Sequence, residues 1–160
     1  MSSYTTGELC RGKGAVVNEM KITLPSLSRN EGIARAMVAV FCAQADPSTT
    51  ELADIKCAVS EAVTNCIVHA YRDTIGTIGL KVQILEGRWI RIEIKDSGCG
   101  IEDVRRAREP LYTTDAAGER SGMGFTVMES FCDGVHVKAA QGRGCTVTLC
   151  KRLRDRNFRT

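Results

Sequence analysis

The segment Glu51–Arg72, ELADIKCAVSEAVTNCIVHAYR, governs how the rest of the chain is read. Leu52, Ile55, Val59, Ala62, Val63, Cys66, Ile67 and Ala70 recur at steps of three and four, the pattern of an amphipathic helix of about six turns. Glu61 and Asn65 lie one turn apart. At ~100° per residue they are roughly 40° from each other around the axis, on the shoulder of the apolar stripe. A carboxylate and a carboxamide so placed can both face a cleft, the carboxylate as a base and the amide oxygen as a ligand for a hard cation such as Mg²⁺. The same spacing suits any solvated helix face, so the pair needs support from elsewhere in the chain.

The length of 160 residues fits one domain with a real core. An apolar fraction of 43% with 26% charged residues is that of an ordinary globular protein rather than a disordered chain. The net charge of +3 spreads 22 basic residues among 19 acidic ones, which gives no basic footprint for nucleic acid. No apolar run approaches the ~18 residues of a membrane span, and the N-terminus lacks a signal-peptide core, so a cytoplasmic location is expected. The eight cysteines contain no C-x-x-C, and Cys42, Cys57, Cys66, Cys132, Cys145 and Cys150 fall in apolar-periodic segments. They read as reduced cysteines serving as small hydrophobes.

Outward from the central helix, Asp46-Pro47-Ser48 breaks the chain, and Ser48 or Thr49, with Glu51 following, starts the helix. Before it, Ile33, Ala36, Met37, Val40 and Phe41 keep a helical period behind a cap at Ser28 or Asn30, and Arg35 falls off that stripe. Val16–Leu24 alternates with Met20, Ile22 and Leu24 on one face and ends as a strand at Pro25. Residues 1–15 are polar and Gly-rich, which predicts a mobile extension, an expression scar or an upstream start, with Val17 or Met20 as the natural beginning. After the helix, Thr77–Leu85 and Trp89–Lys95 form a hairpin across Glu86-Gly87. Ile101–Arg108 reads as a short helix, Tyr112–Ser121 as a flexible stretch and Phe125–Phe131 as a helix. Val135–Ala139 and Cys145–Leu149 form a final hairpin, and residues 153–160 a frayed tail. Sequential strand pairs imply an α+β fold in two layers, a mixed, mostly antiparallel sheet covered on one face by helices, within one domain over 16–152.

Two glycine motifs complete the pattern. Asp96-Ser97-Gly98-Cys99-Gly100 follows a strand directly, where an Asp can accept a hydrogen bond from an exocyclic amine and glycines admit a flat ring or a phosphate. It also suits an ordinary Asp-Gly turn. Gly122-Met123-Gly124 opens a helix, whose free N–H groups and dipole favour an anion. Neither motif ends as a Walker loop does, and no strand-helix-strand unit surrounds them.

E-x-x-x-N on a helix, D-x-G-x-G after a strand and G-x-G before a helix resemble the ATP-binding (Bergerat-type) domain shared by gyrase, Hsp90, histidine kinases and MutL. Glu61–Tyr71 (EAVTNCIVHAY), Pro110–Thr114 (PLYTT), Glu119–Phe125 (ERSGMGF), Asn30–Arg35 (NEGIAR) and the Asp46-Pro47 step resemble, more closely, the anti-sigma F factors of endospore-forming bacteria. That resemblance covers about residues 18–152.

The resemblance implies a serine protein kinase using ATP/ADP and Mg²⁺. In it Glu61 is the general base toward a protein serine and Asn65 ligates Mg²⁺. Asp96 holds the adenine amino group, with Gly98 and Gly100 shaping the pocket. Tyr112–Ser121 is the ATP lid, with Thr114 and Ser121 among the nucleotide contacts and Arg120 at the terminal phosphate. Gly122, Met123 and Gly124 cradle phosphates. The family pairs as a homodimer through its first strand and helix and grips a sigma factor. Arg35 matches a sigma-contacting position, and Glu119 and Arg120 are further partner contacts. The kinase substrate is a small anti-anti-sigma protein. Ala70 departs from the family by standing where Gly is usual, and His69 reads as a structural hydrogen-bonding residue near the nucleotide. Three rivals remain: a stress-response anti-sigma kinase, a nucleotide-gated sigma binder without kinase activity, and a histidine-kinase catalytic domain. The last lacks a dimerising hairpin with an acceptor His.

Overall fold

The computed structural model describes residues 1–110 and 123–156. Strands β1 (Ser2–Gly7), β2 (Val16–Pro25), β3 (Thr77–Leu85), β4 (Trp89–Asp96), β5 (Gly134–Ala140) and β6 (Gly144–Arg152) form a six-stranded sheet in the order β1-β5-β6-β4-β3-β2. Helices α1 (Asn30–Ala43), α2 (Thr49–Asn65), α3 (Val104–Ala107) and α4 (Gly124–Phe131) accompany it. The expectation of α+β layers holds. The sheet is antiparallel at each described pairing, not mixed, because hairpins and long returns, rather than crossover helices, join its strands.

Alternation along the strands decides what meets the helices. In β4, Ile90, Ile92 and Ile94 enter the main core, and so do Leu80 and Val82 of β3 and Val147 and Leu149 of β6. From α2 the same core takes Ile55, Ala58, Val59, Ala62 and Val63. Asp96 continues the parity of Ile94 and so lands on the helix-facing side of the sheet. Trp89 and Cys150 have the opposite parity and build a small second cluster with Cys10 and Leu85.

The central helix starts as its sequence indicates. Ser48 Oγ accepts from the Glu51 N–H at 3.1 Å and the Glu51 carboxylate accepts from the Ser48 N–H at 2.8 Å, a complete capping box. The helix differs at its other end. Regular α geometry stops at Asn65, and Cys66–Ala70 form a single π turn. Such turns concentrate where a side chain must be re-aimed.

Several expectations are corrected. Residues 1–15 supply β1, which pairs with β5 from Ser2↔Ala139 to Gly7↔Gly134 and covers that sheet edge. The segment carries no apolar period because only Tyr4 reaches the main core, where the Arg108 guanidinium lies 3.3 Å from its ring centroid, while Leu9 and Cys10 join the smaller cluster. In the tail, Leu153 is buried and the Arg154 N–H donates to Glu51 at 2.7 Å. Cys10 and Cys150 form a disulfide, so the reading of reduced cysteines holds for Cys42, Cys57, Cys66, Cys99, Cys132 and Cys145 but not for that pair. Arg29, not Ser28 or Asn30, occupies the α1 cap position, and the Asn30 amide instead donates to Pro25 O at 2.9 Å.

Helix α1 is apolar on two faces. Ala34, Val38 and Cys42 are buried against the core, whereas the expected stripe of Ile33, Met37 and Val40 is exposed at 48%, 43% and 76%.

Candidate functional site

A cleft of about 1010 Å³ opens beside the last turns of α2, lined also by the end of β4, the approach to α3 and the start of α4. Glu61 and Asn65 both line it, half-buried. The buried residues Ala62, Val63 and Cys66 between and after them hold the helix against the sheet, so the pair is turned toward the cleft rather than bulk solvent. Gly124 faces both. A methyl group at Gly124 would sit 3.2 Å from Glu61 Oε2 and 3.5 Å from Asn65 Oδ1, so α4 begins where these two side chains end. Met123, at the α4 cap position, lines the same wall without a side-chain cap of its own.

Asp96 forms the far wall and retains 5% exposure. Its Oδ1 accepts from the Gly98 N–H at 2.9 Å and the Cys145 N–H at 3.2 Å, and its Oδ2 faces the Cys66 thiol at 3.6 Å. Burial pushes the Asp96 carboxyl above the ordinary aspartate value, and the Gly98, Cys66 and Cys145 donors oppose that shift. Burial likewise raises the Cys66 thiol, and it pushes Cys145 up to about 12, so both remain neutral at physiological pH. A neutral thiol donates to Oδ2 while leaving that oxygen further lone pairs. The wall therefore offers a fixed acceptor suited to an exocyclic amine.

The two motif glycines work differently. Gly100 has φ +71°, a left-handed conformation, and a Cβ there would lie 2.0 Å from Ala140 O. Gly98 does not line the cleft. A Cβ on Gly98 would lie 2.3 Å from Ala70 O and 2.6 Å from the Ala70 methyl, so the turn presses against the π turn. Ala70 is not among the described residues with positive φ, and the methyl there is tolerated without glycine. The Cys99 N–H donates to Ala70 O at 3.1 Å and the Cys99 thiol faces His69 O at 3.0 Å, so the π turn and the Asp96 turn are knitted through their backbones.

A site for Mg²⁺ fits this arrangement in kind. Mg²⁺ keeps most of its waters and takes one or two protein ligands beside substrate phosphates. The Asn65 amide, which lines the cleft beside the start of α4, is the group that would hold it. No group of three or more His, Cys, Asp or Glu that would cage a metal exists among the described residues.

Arg35 lies away from the cleft. Its side chain is 42% exposed and pairs with Glu31 at 3.7 Å. Thr114, Glu119, Arg120, Ser121 and Gly122, with the rest of the expected lid, lie outside the described residues. Sequence reasoning passed over Cys66, Cys145 and Tyr71 as contributors to the site. Cys66 follows Asn65 directly and could have been found from that position; Cys145 approaches Asp96 only through strand pairing.

The model of the histidine kinase-like ATPase domain matches residues 24–151. The anti-sigma F factor of Caldanaerobacter subterraneus subsp. tengcongensis is 52% identical over 134 residues, 84% of this chain and 93% of that protein. The chain belongs to the anti-sigma F factor family. The anti-sigma F factor of Anoxybacillus flavithermus is 50% identical over 137 residues, 85% of this chain and 93% of the relative. Among solved structures, the RsbU and RsbW domains of a Mycobacterium tuberculosis protein superpose with a TM-score of 0.65 at 22% identity, over 90% of this chain and 35% of that one. The histidine kinase domain of a blue-light activated histidine kinase from Erythrobacter litoralis gives 0.52 at 20% identity, over 77% and 61%. Both show the shared fold. No described helix is long and apolar enough to cross a membrane.

Proposed function

We propose that the protein is an ATP-dependent anti-sigma factor that holds a sporulation sigma factor and phosphorylates a serine of its anti-anti-sigma antagonist. The observation carrying this reading is the convergence of Glu61, Asn65, Gly124 and Asp96 on one cleft. Asp96 receives the adenine amino group, and Asn65, with Mg²⁺, the phosphates. Bound Mg²⁺ supplies charge neutralisation on the phosphates, while this chain's residues position the reactants. Phosphoryl transfer asks mainly for that positioning. Glu61 stands beside Asn65 and accepts the proton of the incoming serine hydroxyl as the oxygen attacks the terminal phosphorus, whose bond to the bridging oxygen breaks to release ADP.

A binder without kinase activity has no need of a carboxylate beside the phosphate-side amide. The retained Glu61 favours the kinase. The exposed apolar row Ile33, Met37 and Val40 on α1, with Val16 and Val17 on β2, favours a homodimer formed through these two elements. Arg35, on the same helix, and Glu119 and Arg120, outside the described residues, are the proposed partner contacts.

The test is incubation with Mg²⁺ and γ-labelled ATP, with and without an anti-anti-sigma protein. Label on a serine of that protein supports the kinase. Bound ATP without label leaves a nucleotide-gated binder.

A further inference from the structure

Tyr71 stands just outside the cleft, yet its phenol joins three parts of the fold. Its oxygen accepts from the Ser97 N–H at 2.8 Å, the residue directly after Asp96. The same hydroxyl donates to Thr77 O at 2.8 Å, at the start of β3. Accepting and donating at once, the hydroxyl has its orientation settled.

The ring has a firm seat. It packs on Gly76, where a Cβ would fall 2.1 Å from Tyr71 Cε1, so only glycine admits the ring. Gly76 is fixed in turn: its N–H donates to Ser26 Oγ at 2.9 Å, and its carbonyl accepts from the Ser26 N–H at 2.9 Å. Ser26 is buried at the end of β2. On its other side Tyr71 follows the π turn, whose Ala70 carbonyl already takes the Cys99 N–H. Ser97 and Cys99, flanking Gly98, are thus both held by consecutive residues, Tyr71 and Ala70. Gly98 between them donates to Asp96 itself.

We infer that Tyr71 is a positioning residue for nucleobase selection: its hydroxyl fixes the backbone at Ser97 and thereby aims the Asp96 carboxylate at the exocyclic amine of adenine. The inference rests on the proposed adenine role of Asp96 and adds a residue to it. The π turn gives the device a second consequence. Asn65 ends α2 on the phosphate side, and six residues later Tyr71 sets the base side, so one short segment holds both ends of the nucleotide in register.

The test uses the full chain and compares ATP with inosine triphosphate, which carries a 6-oxo group where adenine carries its amine. Wild-type protein is expected to prefer ATP. Tyr71→Phe removes one oxygen and keeps the ring on Gly76. It is expected to lower ATP affinity by about 3- to 10-fold, the scale of one hydrogen bond, with inosine triphosphate affinity unchanged. In an Asp96→Asn background the same change is expected to have no further effect on ATP. Equal weakening of both nucleotides, or an unchanged ATP preference in Tyr71→Phe, overturns the inference while leaving the proposed function standing. A wild-type protein that binds neither nucleotide overturns the proposed function, and the inference falls with it.

Discussion

The Cys66 thiol faces Asp96 Oδ2 across 3.6 Å, so the residue that follows Asn65 also touches the carboxylate on the far wall of the cleft. The two ends of the cleft are therefore joined through the buried edge of one helix. Helix α2 carries Glu61 and Asn65 on its cleft side, the π turn that follows opens with Cys66 against the sheet, and sheet parity brings Asp96 to meet it.

Asp96 tests the proposed base-side wall. Burial raises its carboxyl, so the native state holds this proton more tightly than the unfolded chain does. Between the unfolded and folded values the native state binds more protons, and the contribution of Asp96 to stability falls as pH rises through that window. Asp96→Asn is accordingly expected to keep or raise the thermal midpoint at neutral pH while lowering ATP affinity by about 10- to 100-fold, the scale of a hydrogen bond to a charged group. Wild-type affinity should also fall on acidification, as the acceptor becomes protonated. Calorimetric titration across pH checks both; a large loss of midpoint in Asp96→Asn contradicts the first.

Glu61 separates chemistry from binding. Glu61→Ala is expected to cut serine phosphorylation by at least ~100-fold, the usual scale for a general base, with nucleotide affinity little changed. Single-turnover transfer beside equilibrium binding measures the two. Undiminished transfer removes Glu61 from the mechanism.

Gly98 tests the seam between the π turn and the Asp96 turn. A methyl group there meets Ala70 O at 2.3 Å, which backbone atoms must move to relieve. Gly98→Ala is expected to abolish detectable ATP binding, and restoring space with Ala70→Gly in the same chain is expected to recover only part of it, because the carbonyl clash remains.

Helix α1 offers a paired comparison. Val40 is 76% exposed and Val38 is fully buried, two positions apart on one helix. Val40→Asp should leave the fold intact and dissociate the proposed dimer in sedimentation equilibrium. Val38→Asp places an unpaired carboxylate in the core and should unfold the chain, since such burial costs several kcal/mol. Unchanged assembly in Val40→Asp points away from this face.

The Cys10–Cys150 bond closes a separation of 140 residues and ties the segment after β1 to β6. Cys10→Ser is expected to destabilise the oxidised protein by about 2–4 kcal/mol, as loss of loop constraint does. A reducing agent should lower the unfolding midpoint of wild type by a similar amount and leave Cys10→Ser unmoved. Counting alkylated thiols before and after reduction confirms the bond.

The sequence by itself determined the elements whose signals are local. The period of α2, its start at Ser48 or Thr49, the alternating β3 and β4 with their turn, and the positions of Glu61, Asn65 and Asp96 all follow from spacing within a few residues. Side chains one helical turn apart, or two along a strand, share a face wherever the element packs. What lay between elements needed the tertiary structure. Periodicity shows that α1 is apolar but not which of its two apolar faces meets this chain's core: the spacing picks out Ile33, Met37 and Val40, and the structure buries Ala34 and Val38 instead. The polar β1 gains its place from backbone pairing with β5, which leaves no hydrophobic mark. Cys10 finds Cys150, Tyr71 finds Ser97 and Cys66 finds Asp96 only because the sheet brings distant segments within a few ångströms. Local spacing names the candidate groups; packing between elements decides which of them meet.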